Sequence, residues 1–452
     1  MPLASCLLPL AFCLLPFAFC LLPFASCLMI NSDSLKAIEN ARLNDNIGKP
    51  LYDSYCFSQI PQMIYHLLTG QGNMGLPRSV LGELPERYDK VILIFVDAFG
   101  WRFFQDYVEQ SEFLKRFVVE GVASKLTTQF PSTTAAHVTT IHSGLPVGES
   151  GVFHWFYYEP LLDDIIAPLM FSFAGDKQRG TLQTTGISEQ SLFPTQTLYQ
   201  KLQQYGVKSY CFQHYNYAYS PFSRVVCDGA SIVPYKTIPE ALVNLTEAAI
   251  AESDKSYFFL YLDTVDGMAH KYGPGSVQFQ AEVSTLLLTM ERLLYQQVAG
   301  KLKNTLLLIT ADHGQIEISP ETTIYLNQLN PSIEQFIKRN AQGKLLVPAG
   351  SCRDMVLYIQ EDHLDKVYDL LTEQLADRAT VYRTTTLLEQ GYFGTGEISP
   401  LLLNRLGNIV ILPHKYETVW WYEEDRFEQH KLGAHGGLSK EEMETILLAI
   451  DC

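Results

Sequence analysis

Three apolar runs in this chain each lead into residues that can bind a cation. Val91–Val96 (VILIFV) ends at Asp97. FFLYLD, at 258–263, is followed three residues later by Asp266-Gly-Met-Ala-His270. TLLLITA runs directly into Asp312-His313-Gly314. A continuous apolar run of this length reads as a strand buried on both faces of a parallel sheet. The carboxyl ends of such strands share one edge, where ligands bind, so the three acids are expected to converge. Carboxylates so gathered repel one another unless cations lie between them. Carboxylate with imidazole is a ligand set for zinc, with manganese or iron as alternatives. Asp266 and His270, four apart, fit one helical face, and His435 in GAHGGLS is a third imidazole. Six such ligands exceed one tetrahedral site and suit two ions sharing a substrate. Taken singly, Asp97 or Asp312 could equally be a helix N-cap after a strand.

A nucleophile is expected in Phe130-Pro-Ser-Thr-Thr-Ala-Ala-His137, a loop running into a helix over Thr134–Ser143 that Gly144 closes. A hydroxyl at a helix start beside a dication loses its proton more easily, and the helix end favours an anionic phosphate. Ser132, Thr133 and Thr134 are all candidates there, and a Ser/Thr cap is compatible with that role.

The elements that must position these groups alternate. Strands are expected at Val122–Leu126, Ser209–Phe212, Phe258–Leu262 and Thr305–Thr310, with helices near Ser58–Leu68, from Gly100, and from Val277 to Gln297. The fold class is therefore α/β: a mostly parallel central sheet with helices on both faces. Composition changes after Thr322. Residues 323–425 read as a smaller α+β insertion, with helices at Ser332–Asn340 and Asp362–Leu375 and strands at Met355–Ile359, Ile409–Leu412 and Thr418–Trp421. Residues 29–322 would be the catalytic core with an N-terminal arm, and 426–452 would return to it.

Residues 2–28 are a heptapeptide array: PLASCLL, PLAFCLL, PFAFCLL, PFASCL. No Lys or Arg precedes Lys36, against a signal peptide, and Pro9, Pro16 and Pro23 would interrupt a spanning helix. Seven residues are 21 nucleotides, so translation through a tandem DNA repeat accounts for the array, with Met29 opening the ordinary sequence. On that reading the protein is cytoplasmic. If the array is real, it is exported or anchored.

Of 452 residues, 47% are apolar and 18% charged, enough for a large core and against disorder. The 33 Lys and Arg against 49 Asp and Glu, a net charge of −16, argue against a nucleic-acid scaffold. The cysteines outside the array are odd in number and without a CxxC pair, which fits neither a disulfide framework nor a zinc finger.

The order Asp97, Pro131-x-x-Thr134, Asp266-x-x-x-His270, Asp312-His313-Gly314, His435-Gly-Gly resembles the alkaline phosphatase superfamily. PSTTAAH…SGLPVGESG and YLDTVDGMAHKYGPGS are most similar to its nucleotide pyrophosphatase/phosphodiesterase branch, with Ala269 where that branch has glycine. The resemblance implies metal-dependent hydrolysis of a phosphodiester or pyrophosphate by two divalent ions, zinc first. Asp97, Thr134, Asp312 and His313 would hold one ion, with Thr134 as nucleophile; Asp266, His270 and His435 would hold the other. The substrate would be a small phosphate ester, nucleotides among the candidates, with no stable membrane partner. The branch's phosphate-contacting asparagine falls near Trp155, whose indole offers one donor and no acceptor, so the phosphate contacts must differ. Trp155 in GVFHWFYY could stack a base or belong to the core. His137, His142, His154 and His214 have no motif partner and read as structural. Arg102, Lys125 and Arg353 cannot be placed. A phosphomonoesterase or phosphonate hydrolase is the near alternative, and a binding protein that has lost catalysis the distant one. No sulfatase nucleophile motif is present.

Overall fold

A computed structural model of the chain describes residues 29–42 and 48–452. The reading of residues 1–28 lies outside them. The core strands are β1 (Lys90–Val96), β2 (Val122–Thr127), β3 (Lys208–His214), β4 (Ser231–Tyr235), β5 (Ser256–Leu262) and β6 (Thr305–Thr310). Three further strands, β7 (Met355–Leu357), β8 (Ala379–Arg383) and β9 (Ile409–Pro413), form a separate antiparallel sheet in the order β7-β9-β8. The last strand, β10 (Glu444–Asp451), returns to the main sheet, whose order is β2-β10-β6-β1-β5-β3-β4. All its pairings are parallel except those of β10 with β2 and β6. The fold is thus α/β, with a mostly parallel central sheet enclosed by helices.

Alternation within β1 shows both faces buried. Val91, Leu93 and Phe95 join one apolar cluster, while Ile92, Ile94 and Val96 join a second on the opposite face. This double burial is why the run carries no polar alternation. The strand orders also settle which loops meet. β6, β1 and β5 are immediate neighbours in register, so Asp97, Asp312 and the turn after Leu262 emerge side by side. β10 runs the other way, and its first residue therefore lies at that same edge. The loop carrying His435 reaches the site because it feeds an antiparallel strand.

Several elements differ from expectation. Ser332–Asn340 is not an α-helix. Pro331–Phe336 makes a short 3-10 turn, after which Ile337 and Arg339 bridge to Ile359 and Leu345 as extended chain. Burial of Ile333, Phe336 and Ile337 in the second unit's apolar cluster overrides the local helical pattern. Thr418–Trp421 shortens to Val419–Trp420, paired with Ile324–Tyr325. β4 contains Pro234, which argues against a strand by sequence, yet β4 is the sheet edge, where a missing N–H is tolerated. The long helix of 277–297 is interrupted by a π turn at Glu291–Tyr295, whose Glu291 receives Arg116 at 3.0 and 2.8 Å.

Two buried ion pairs fasten the second sheet's surroundings to the core. Arg353 donates to both Glu442 oxygens at 3.0 and 2.9 Å, and Arg405 donates to Glu159 at 2.9 Å. Removing one partner would strand a buried charge, a cost of about 3–5 kcal/mol. The five described cysteines are free thiols, and the Cys211 and Cys227 sulfurs lie 3.4 Å apart. Among the described residues, no helix is long and apolar enough to cross a membrane.

Candidate active site

Asp97, Asp312 and His313 lie at the strand ends, with their ligand atoms within 4.8 Å of one another. Neither acid caps a helix. The helix after Asp97 begins at Trp101 behind Gly100, and Asp312 spends Oδ1 on the backbone N–H groups of Ala98 and His313, both at 3.0 Å. Ala98 adopts a left-handed φ of 64°, which turns its N–H toward Asp312; that conformation costs an alanine about 1 kcal/mol or more. Gly314 is required by packing, since a Cβ there would lie 2.1 Å from the Glu441 carbonyl.

Asp266 and His270 share one face of the Thr264–Tyr272 helix, and His435 completes a second group within the same 4.8 Å span. The rings of His313 and His435 stack at 3.5 Å, so the two groups are adjacent. Each imidazole is oriented alike. Nδ1 of His313, His270 and His435 faces the carbonyl of Gly314 (3.0 Å), Gly433 (2.7 Å) and Ser132 (2.8 Å). A carbonyl only accepts, so Nδ1 carries the proton and Nε2 presents a lone pair to the acids, as a metal ligand must.

The electrostatics call for cations. Burial, then the charges of Asp312 and Asp266, holds the Asp97 carboxyl well above its usual range, and burial raises Asp312 as well. Burial lowers the His270 imidazole to about 4 and His435 well below its ordinary value. Asp97 Oδ1 and Asp312 Oδ2 are buried without hydrogen-bond partners among the described residues. The Lys431 ammonium donates to His270 Nε2 at 3.3 Å, a positive charge where a metal would bind. Orphaned buried oxygens, aligned Nε2 lone pairs and the O/N donor set all fit divalent ions.

Thr134 is the first residue of the Thr134–Ser143 helix. Its Oγ1 lies 3.2 Å from His313 Nε2 and 3.5 Å from Asp97 Oδ2. The neighbouring hydroxyls are turned elsewhere: Ser132 donates to the Gly437 carbonyl at 2.9 Å, and Thr133 to that of Phe153 at 2.8 Å. Thr133 makes no side-chain cap, so the first N–H groups of the helix take no hydrogen bond from it, and Thr134 and Ala135 border the larger cleft.

Two clefts open beside Thr134. One of about 350 Å³ is bordered by His270, His435, Phe156, Trp420 and Phe427; the other, about 270 Å³, by Asp97, Tyr217, Tyr261 and Arg179. Trp155 borders both and is 41% exposed, which removes it from the core. His154, read as structural, also lines the larger cleft and pairs with Asp354 at 2.5 Å. No sequence signal joins residues 200 positions apart. His137 and His142 are core residues: His137 accepts from Gln129 N–H at 2.9 Å, and His142 bonds Tyr199 at 2.6 Å. Arg102, Lys125 and Arg353 are all engaged by glutamates, Glu317, Glu444 and Glu442. The cations that do line the clefts, Arg179, Arg426 and Lys431, were not anticipated.

The profile of type I phosphodiesterase / nucleotide pyrophosphatase matches residues 91–438. Mouse ectonucleotide pyrophosphatase/phosphodiesterase family member 7 is 24% identical over 352 residues, 74% of each chain. Among solved structures, murine ectonucleotide pyrophosphatase / phosphodiesterase 5 matches with TM-score 0.60 and 19% identity, covering 80% of this chain and 88% of its own. An inactive threonine-to-alanine variant of that protein, in complex with AMP, matches with TM-score 0.60 and 18% identity, covering 80% and 87%. Phosphonoacetate hydrolase from Sinorhizobium meliloti 1021 matches with TM-score 0.54 and 15% identity, covering 79% and 89%. Divalent metals are usual in this family. The chain belongs to the type I phosphodiesterase / nucleotide pyrophosphatase family and is a phosphoester hydrolase.

Proposed function

We propose that this chain hydrolyses phosphodiester or pyrophosphate bonds in a small, nucleotide-like substrate, with Thr134 as nucleophile. The observation that carries the reading is that Thr134, alone among three adjacent hydroxyls, faces Asp97 and His313 while its neighbours are bonded to backbone carbonyls. Asp97, Thr134, Asp312 and His313 would hold one divalent ion, and Asp266, His270 and His435 another; zinc suits these donors. Bound there, the ions would supply Lewis acidity to the phosphoryl group and its attacking and leaving oxygens. Thr134 Oγ1 forms the new P–O bond as the bond to the leaving oxygen breaks, with its proton passing toward Asp97 Oδ2. The uncapped N–H groups at the helix start hold the phosphoryl oxygens. The leaving oxygen takes up the proton given up by Thr134; water then attacks the same phosphorus, its oxygen staying on the released phosphomonoester and its proton restoring the Thr134 hydroxyl. The inactive threonine-to-alanine variant and the AMP complex of the murine neighbour are in keeping with this assignment.

Mass spectrometry of an acid-quenched reaction with a nucleotide diester should place the phosphoryl group, with the nucleoside it still carries, on Thr134. Thr134→Ala should lose several orders of magnitude in kcat while keeping most of its metal, and Thr133→Ala far less. The same adduct on Thr133, or turnover surviving in Thr134→Ala, would overturn the assignment.

A second reading, a monoesterase or phosphonate hydrolase, draws on Arg179 and Lys431, which border the clefts on either side of Thr134. A nitrophenyl nucleotide diester should nevertheless give the higher kcat/KM against nitrophenyl phosphate. A strong monoester preference would select the second reading.

A further inference from the structure

We propose that Asp354, from the segment between β6 and β10, is a positioning residue that sets both Trp155 and His435. The inference rests on the proposed hydrolytic site but concerns a residue that no part of that reading uses.

Asp354 and His154 are both fully buried, and Asp354 Oδ2 lies 2.5 Å from His154 Nε2. On the far side of the ring, Nδ1 accepts the Trp155 backbone N–H at 2.7 Å. A nitrogen that accepts cannot carry the proton, so the proton is on Nε2 and points at the Asp354 carboxylate. The carboxylate therefore selects the tautomer that can hold the Trp155 backbone. Trp155 is the exposed ring between the two clefts. The same strand of contacts is extended by Gly350, whose N–H donates to the Phe156 carbonyl at 2.8 Å.

The other carboxylate oxygen serves His435. The Ser351 hydroxyl donates to Asp354 Oδ1 at 2.5 Å and packs 3.3 Å from the His435 carbonyl. Gly436 follows with φ +125°, and a Cβ there would lie 2.5 Å from Asp354 Oδ1. The chain therefore passes directly over the carboxylate, at a distance that only glycine permits. From the front, Ser132 receives His435 Nδ1–H at 2.8 Å and the Gly436 N–H at 3.1 Å. His435 is thus gripped between the nucleophile loop and Asp354. One buried carboxylate outside the core sheet holds a wall of the cleft and a ligand of the second group, and groups that orient metal ligands commonly matter about 10–100-fold to affinity or activity.

The two branches can be cut separately. Ser351→Ala should weaken zinc binding about tenfold in chelator competition while leaving Trp155 emission, taken as the difference from the same variant in a Trp155→Phe background, unchanged. His154→Gln keeps a donor toward Asp354 and removes the acceptor for the Trp155 N–H. It should shift Trp155 emission and raise KM for a nitrophenyl nucleotide diester, with zinc affinity unchanged. Asp354→Asn should move both readouts, and less than Asp354→Ala, because the amide oxygen still accepts from His154. If both branch variants move both readouts, or neither moves its own, Asp354 is a packing residue only and the proposal fails. Should Asp354→Asn not fold, the branch variants alone decide. Zinc affinity and emission do not depend on turnover, so an inactive wild-type protein would refute the proposed function and leave this test intact.

Discussion

The two groups of acids and imidazoles stand side by side but are built differently. Asp97, Asp312 and His313 have side chains at most 3% exposed and sit at the ends of adjacent parallel strands. Asp266, His270 and His435 are 13–17% exposed and sit on a helix and a glycine-rich loop. The deep group keeps two buried carboxylate oxygens with no hydrogen-bond partner among the described residues, whereas Asp266 Oδ1 already receives the Gln315 side-chain amide. The sheet fixes the first set by ladder hydrogen bonds, and the second depends on loop contacts: the Gln315 amide on Asp266, the Gly433 carbonyl on His270 and the Ser132 carbonyl on His435. The deep group is therefore expected to require its ion for integrity, and the shallow group to exchange one.

The largest effects should expose this difference. Asp312→Ala should cost one ion per chain that excess zinc does not restore, and lower kcat by about 10³-fold or more, the order lost when charge stabilisation of a transition state is removed. His270→Ala should cost about 10²-fold and recover partly as zinc is raised, because the remaining donors are solvent-accessible. The check is metal content alongside turnover across a zinc titration. Equal rescue of both variants would mean that the two groups do not differ as their burial implies. Chelation should likewise remove metal in two steps, the shallow ion first, and single-step loss would argue against two separable sites.

A smaller effect concerns the frame of the deep group. The helix carrying Thr134 buries His137 and His142, and burial holds both imidazoles down to about 3. In the unfolded chain these rings titrate near 6.5, so below that pH the unfolded state binds protons that the folded state does not. Stability is thus lost as pH falls from about 6.5 toward 3, by about 2 kcal/mol per ring at pH 5. His142→Gln does not titrate, so its denaturant stability should fall less between pH 8 and 5 than that of the wild type. The difference between the two proteins cancels the other titrating groups. Identical losses would show that His142 is protonated in the fold.

How much of this was legible follows from where each interaction lies along the chain. The deep group could be read because Val91–Val96 and Thr305–Thr310 are continuous apolar runs that stop at acids, and a buried strand has few other ways to look. Asp266 and His270 could be read from a spacing of four. The direction of β10 could not, since Ile446–Ile450 has the same composition whichever way it runs. β4 was hidden by Pro234, which only an edge position excuses. The partnerships of Arg102, Lys125 and Arg353 with glutamates, and of His154 with Asp354, join distant positions by packing alone and leave no periodic trace. Trp155 was undecided because exposure, not residue type, separates a substrate wall from a core ring.

That exposure gives the mildest test of the contrast. Trp155 stands between the larger cleft beside the shallow group and the smaller one beside the deep group, and among the described residues its ring makes no polar bond to either set of ligands. Its indole offers a broad apolar face, and stacking of a base on such a face is worth about 1–3 kcal/mol. Trp155→Ala should then raise KM for a nitrophenyl nucleotide diester about tenfold, with kcat changed little, because the nucleophile and the acids are untouched. Trp155→Phe should recover most of the loss, since a smaller aromatic face still stacks. For a diester without a base, such as bis(nitrophenyl) phosphate, the alanine variant should show a smaller change than for the nucleotide. A fall in kcat with KM unaltered would place Trp155 with the reacting phosphoryl group rather than with the substituent, and would make the wall between the clefts part of the chemistry.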